Sequence, residues 1–160
     1  MGERNTRDLE GIEGEAREQE NQGEELKKEI DLHKEQVSKL EETLNELRAQ
    51  AGELKSNDLA AAIGNAELAR RGAQDRITQA LEKRDQLLQQ NEEMTQRVDK
   101  AYEKRKQTQG KVNFLQFGAT GEVAKSMQGI MDALNQDMNK LASVSSELAH
   151  ARKRLETLAD

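Results

Sequence analysis

From Leu26 onward the apolar residues recur at alternating intervals of four and three: Leu26, Ile30, His33, Val37, Leu40, Leu44, Leu47, Ala51 and Leu54. A repeat of about 3.5 residues places all of them on one stripe of an α-helix. Such a stripe needs a partner helix, because an isolated helix in water is marginal. Composition points the same way. Charged residues make up 35% of the 160 and aromatics 2%, too few large apolar side chains for a core closed on several faces. The chain has no proline, each of which would cost a helix interior about 3 kcal/mol. It also has no cysteine, which excludes disulfides and thiolate metal sites and suits a reducing compartment. The expected fold is all-α.

Two further seams follow. One runs Ala66, Ala73, Ile77, Ala80, Leu87, Asn91, Met94, Val98, Ala101, Thr108, Val112 and Leu115, with Arg70, Arg84 and Arg105 at other positions of the same stripe. The other runs Met127, Ile130, Leu134, Leu141, Val144, Leu148, Ala151, Leu155 and Leu158. Upstream, Leu9, Ile12, Ala16, Gln19 and Gly23 continue the first seam weakly, so residues 1–25 are expected to form an acidic, frayed helical end.

Gly64–Asn65 interrupts the pattern. Glycine is the favoured residue just past a helix end, asparagine is a good N-cap, and Glu67 would then meet the dipole of a new helix. The expected architecture is therefore a long antiparallel hairpin over 26–115 with its tip at 64–65. Folding there sets Leu54 opposite Ile77, Leu44 opposite Leu87, Leu40 opposite Asn91, and Val37 opposite Met94. It also sets Lys111 against Glu20, Lys106 against Glu25 and Lys100 against Asp31. The halves differ in charge: residues 1–63 hold 9 Lys+Arg against 17 Asp+Glu, and residues 64–160 hold 16 against 14. A straight rod would explain the heptads but not this complementarity. Residues 116–122 then read as an elbow, punctuated by Gly118 and Gly121, and 123–160 as a third helical segment. Phe114, Leu115 and Phe117 form the most apolar cluster of the chain and are expected to give the joint something to bury.

No catalytic constellation is visible, and no cofactor is expected. His33 on the seam is read as a core residue facing Val98, and His150 as solvated. No zinc, calcium or phosphate-loop spacing occurs, and "GATGE" follows no strand, so it reads as a linker. Asn91 on the seam either fixes register or is a plain, partly exposed polar residue. Met127, Met131 and Met138 read as packing residues. The basic run Lys100–Lys111 can meet lipid phosphates or the acidic first helix; the second is favoured. No basic nucleic-acid footprint is present. No apolar run reaches the length of a membrane span, so the expected location is cytoplasmic or peripheral at a membrane.

Two stretches resemble known proteins. "LAAAIGNAELARRGA", through Leu59, Ala60, Gly64, Glu67, Leu68, Ala69 and Arg70, resembles the hairpin tip of the phage-shock protein A and plastid vesicle-inducing protein family. "GEVAKSMQGIMDAL", through Gly121, Val123, Lys125, Ser126, Met127, Gly129 and Ile130, is similar to the start of the third helix of ESCRT-III proteins, which belong to the same superfamily. The resemblance implies a helical hairpin, an elbow and further helices that let subunits stack into membrane-shaping filaments. It implies a non-enzymatic protein whose partners are itself and an anionic membrane or a membrane-bound protein, assembling through Phe114, Leu115, Phe117, Gly118, Gly121, Met127 and Ile130. The alternative is a soluble coiled-coil adaptor of small, fixed oligomeric state that never binds lipid.

Overall fold

The computed structural model describes residues 2–53 and 57–158. They form three helices: α1 (Gly2–Glu53), α2 (Asn57–Gln116) and α3 (Gly121–Glu156). Their 52, 60 and 36 residues correspond to about 78, 90 and 54 Å at 1.5 Å per residue. No strand occurs among the described residues, so the fold is all-α. The chain divides into two compact units, Met1–Glu20 with Leu88–Arg154, and Asn21–Leu87 with Leu155–Asp160.

The first unit is a three-helix bundle. Leu9, Ile12 and Ala16 of α1, Met94 and Val98 of α2, and Leu141, Val144 and Leu148 of α3 form one buried cluster, with Ala101 packed against it. Lys140 reaches Glu10 at 3.6 Å and Arg17 reaches Glu147 at 3.7 Å, so α3 runs parallel to α1. Gln109 donates to Asn135 at 2.8 Å, while Arg105 and Asp137 meet at 3.5 Å, so α3 runs antiparallel to α2. The expectation of a frayed amino-terminal segment is thereby corrected. Its weak seam, Leu9, Ile12, Ala16 and Gln19, is a two-sided contact, which α2 and α3 complete together.

The second unit pairs the rest of α1 with the start of α2. Leu26, Ile30, His33 and Leu44 are buried on α1; on α2 the buried positions are Ala66, Ala73, Ala80 and Leu87. Mostly large residues on one helix thus oppose mostly alanines on the other, a combination that allows close packing without overfilling. Fully burying a side chain such as Ile30 or Leu44 contributes about 1.5–3 kcal/mol. Leu155 at the end of α3 and Leu158 in the turn after it add to this unit, both buried. Arginines on the α2 seam are half-buried. Arg84 turns out to Asp85 at 3.0 Å, whereas Nε of Arg70 is buried without a hydrogen-bond partner.

The expected tip at Gly64–Asn65 is overturned: both residues lie inside α2. α1 ends at Glu53 and α2 opens at Asn57 instead, and Asn57 and the first-turn Asp58 are residue types favoured at a helix start. A mid-helix glycine costs only about 1 kcal/mol relative to alanine. Half-buried Leu59, Ala62 and Ile63 on one side and buried Ala66 on the other hold the helix across that site. Glu67, expected in a first helical turn, pairs with Arg48 at 2.8 Å.

The expected pairings fall with the tip. Leu40 lies in a groove with Leu68, Ala69 and Ala73, not opposite Asn91. Leu44 lies level with Ala66 rather than Leu87, and Val37 with Ala73 rather than Met94. Glu20 meets Arg154 at 3.8 Å and Asp31 meets Lys27 at 3.4 Å, in place of Lys111 and Lys100. Leu54, expected opposite Ile77, lies outside the described residues. The observed and expected registers differ by three whole heptads, so both keep every seam in phase. Heptad spacing alone cannot separate them.

Spin labels replacing Arg48 and Glu67 should lie roughly one helix spacing apart, about 10 Å between axes. A tip at 64–65 would set them about 24 Å apart along the axis. Leu44→Ala should lower stability by about 2–4 kcal/mol in thermal unfolding, and Leu47→Ala by less, because Leu44 is buried and Leu47 only half-buried.

Candidate functional site

Two features stand out against the regular seams: a polar centre inside the three-helix unit, and an apolar elbow at the end of it. At the centre, Asn91 is fully buried and Gln19 is 3% exposed. Nδ2 of Asn91 donates to Oε1 of Gln19 at 3.1 Å and to the carbonyl oxygen of Leu148 at 2.9 Å. One amide group of α2 therefore joins α1 and α3, using both of its N–H donors. Asn91 is thus a buried register contact, not a partly exposed polar residue. Sequence reading missed Gln19 as its partner. The signal was present, because Gln19 and Asn91 are both polar residues on apolar seams, and matching one to the other gives the observed register.

The elbow closes α2 and opens α3. The N–H of Phe117 donates to the carbonyl of Phe114 at 3.3 Å, and that of Ala119 to Gln116 at 3.0 Å, tightening the last turn. Gly118 and Gly121 have φ of 84° and 64°, a left-handed backbone in which another residue would cost about 1–2 kcal/mol. Glu122 then sits in the first turn of α3, where the helix dipole favours a carboxylate.

The expectation that the elbow cluster is buried in the joint is corrected. Phe114 is 81% exposed, Leu115 59% and Phe117 93%. Val123 and Ile130 are also exposed, whereas Met131 is buried and Met127 half-buried. The register explains the exposure. Carried along it, Gly2 of α1 falls level with Thr108 of α2 and Asp132 of α3. Beyond those positions, among the described residues, α2 and α3 have only each other, and Val112 and Met131 are the residues they bury there. Between the two helices runs a groove of about 1170 Å³ with Ala101, Ile130 and Leu134 on its apolar side and Arg97, Lys100 and Lys104 on its basic side.

Of the remaining candidates, Gly64, Asn65 and Glu67 belong to α2 in the second unit, away from any turn. His33 does not face Val98, which belongs to the first unit's core. Its Nδ1 lies 3.0 Å from Oε1 of Gln36 and its Nε2 3.7 Å from Glu29. His150 is exposed. Among the described residues no group of three or more acidic, histidine or cysteine side chains could hold a metal ion, and no helix is long and apolar enough to cross a membrane.

No family model, curated protein or solved structure matches this chain.

Asn91→Ala would take from the buried Gln19 amide oxygen the Asn91 donor and would remove the bond that ties α2 to the Leu148 carbonyl of α3. It should lower the stability of the chain by about 1–3 kcal/mol in thermal or denaturant unfolding, despite removing no apolar contact.

Proposed function

We propose that this chain is a non-enzymatic coiled-coil scaffold whose third helix docks on its own hairpin and which works through contacts made at its elbow. The distribution of burial carries this reading. The third seam, which cannot stand alone in water, is satisfied within the chain: Leu141, Val144, Leu148, Ala151, Leu155 and Leu158 are all buried. Among the described residues, five of the eight large hydrophobic residues that remain exposed fall between Phe114 and Ile130. A concentration of apolar surface on an otherwise charged molecule marks a contact site. On this reading the work of the chain is holding and joining.

Self-assembly of the phage-shock A/ESCRT-III type is the second reading. The order of hairpin, elbow and third helix favours it, as do the exposed residues Phe114, Leu115, Phe117 and Ile130. The resemblance at Gly121–Leu134 falls on the start of α3, whereas the resemblance at Leu59–Ala73 falls on the interior of α2 and not on a tip. Filament growth would require α3 to leave its own hairpin and dock on a neighbour, forming a heterologous contact that does not close. Such an exchange breaks the contact between Asn91 and Leu148.

Static light scattering of the purified chain tests the two. The closed scaffold should remain a monomer or small oligomer across salt concentrations. Large assemblies that vanish on deletion of residues 119–160, with the hairpin still helical by circular dichroism, would establish the filament instead.

A further inference from the structure

The elbow is more than apolar. Residues 97–125 carry seven Lys and Arg against Asp99, Glu103 and Glu122, a balance of +4 in a chain of −6. Four of these cations form a line. Arg97, Lys100, Lys104 and Lys111 recur at intervals of three, four and seven residues, which places them along one face of α2. That face ends at Phe114 and Leu115. All four cations are exposed, as is Lys125 on α3, and none of the five is ion-paired among the described residues. Arg105 behaves otherwise: it is half-buried and held by Asp137. The elbow thus joins two nearly bare phenyl rings at a convex turn to a row of unpaired cations on the helix behind it.

We infer that this surface docks on a bilayer of anionic phospholipid, with Phe114, Leu115 and Phe117 entering the headgroup–acyl boundary and Lys100, Lys104, Lys111 and Lys125 meeting lipid phosphates. The inference rests on the reading of the elbow as the working contact and names what it contacts. Each half of the surface matches one layer of a membrane interface. Apolar side chains gain by leaving water, and the adjoining ammonium groups stay at the depth of the negative charge. Neither half suffices alone, because stable attachment requires an apolar and an electrostatic contribution together.

A second copy of the chain is the weaker occupant. A phenyl ring flanked by lysines needs an apolar hollow with acidic walls. The groove between α2 and α3 is walled by Arg97, Lys100 and Lys104, with its Asp137 already engaged by Arg105. The groove of the second unit is lined by Lys39 and Arg76 and, among the described residues, by no carboxylate. Both repel a cationic elbow.

The test uses the full chain with vesicles of phosphatidylcholine alone and of phosphatidylcholine with phosphatidylserine, read by co-sedimentation and by light scattering without lipid. The chain contains no tryptophan, so Phe117→Trp provides a single fluorescent reporter of depth. Binding should require phosphatidylserine, weaken as salt is raised and shift the emission of that indole reporter to the blue. Lys100→Gln/Lys104→Gln/Lys111→Gln should weaken it on the order of a hundredfold, about fivefold per cation. Phe114→Ser/Phe117→Ser should reduce it at least about tenfold. The replaced residues are exposed, so helix content should stay unchanged by circular dichroism. Failure of the intact chain to bind phosphatidylserine vesicles overturns the inference, as does equal binding by the Phe114→Ser/Phe117→Ser variant. If lipid binding is absent while protein-only association disappears in that same variant, the bilayer is the wrong occupant and the elbow remains the contact. If neither readout responds to any elbow substitution, the scaffold reading of the elbow falls as well.

Discussion

A heptad seam can slide along its partner by a whole repeat and bury nearly the same apolar surface, so the helices of this chain need something that sliding would break. The buried amide of Asn91 supplies it. Its two N–H groups are matched by an oxygen on α1 and another on α3. Any slip would separate that donor from both acceptors inside a dry interface, where an unmatched polar group costs about 1–3 kcal/mol. The surrounding leucines and valines provide most of the attraction and little of the register. One polar contact therefore positions three helices of very different length.

Much of the remaining architecture follows from that register. With Gln19 level with Asn91, Leu9, Ile12 and Ala16 of α1 fall where both α2 and α3 can approach, and a seam too weak for a pair of helices becomes adequate for three. The same register leaves the last turns of α2 and the first turns of α3 without a third helix beside them. That is why a cluster containing two phenylalanines stays in water. The exposure of the elbow is therefore not a local accident of the turn. It results from an alignment set at Asn91, about six or seven helical turns away.

The charges of the first unit divide into paired and unpaired. Most basic residues near the core of the first unit have acidic neighbours within reach: Arg17 with Glu13 and Glu147, Lys140 with Glu10, Arg152 with Glu92, Arg154 with Glu20. These pairs are solvent-exposed and individually worth about 0–1 kcal/mol, so they tune the alignment rather than cause it. Arg97, Lys100, Lys104, Lys111 and Lys125 have no ion pair among the described residues, and they turn an apolar tip into an amphipathic surface.

By itself the sequence determined that this chain is helical and which stripe of each helix is buried. Nearly every seam position of α1 and α2 is buried or half-buried, from Leu26 and Ile30 to Met94 and Val98, because a period of 3.5 residues specifies a face independently of any partner. The absence of proline and the glycines at 118 and 121 were equally legible, since they act through local backbone energetics. Only the tertiary structure decided where the hairpin turns, which helices meet and what stays exposed. A glycine followed by asparagine is a stop signal worth about 1 kcal/mol, and packing of Ile63 before it and Ala66 after it overrides it. A register is periodic and therefore ambiguous until a non-repeating contact, here Gln19 with Asn91, selects one alignment. The burial of Met131 in place of Ile130, and the exposure of Phe114 and Phe117, depend on that choice and on the docking of α3, which no single seam encodes.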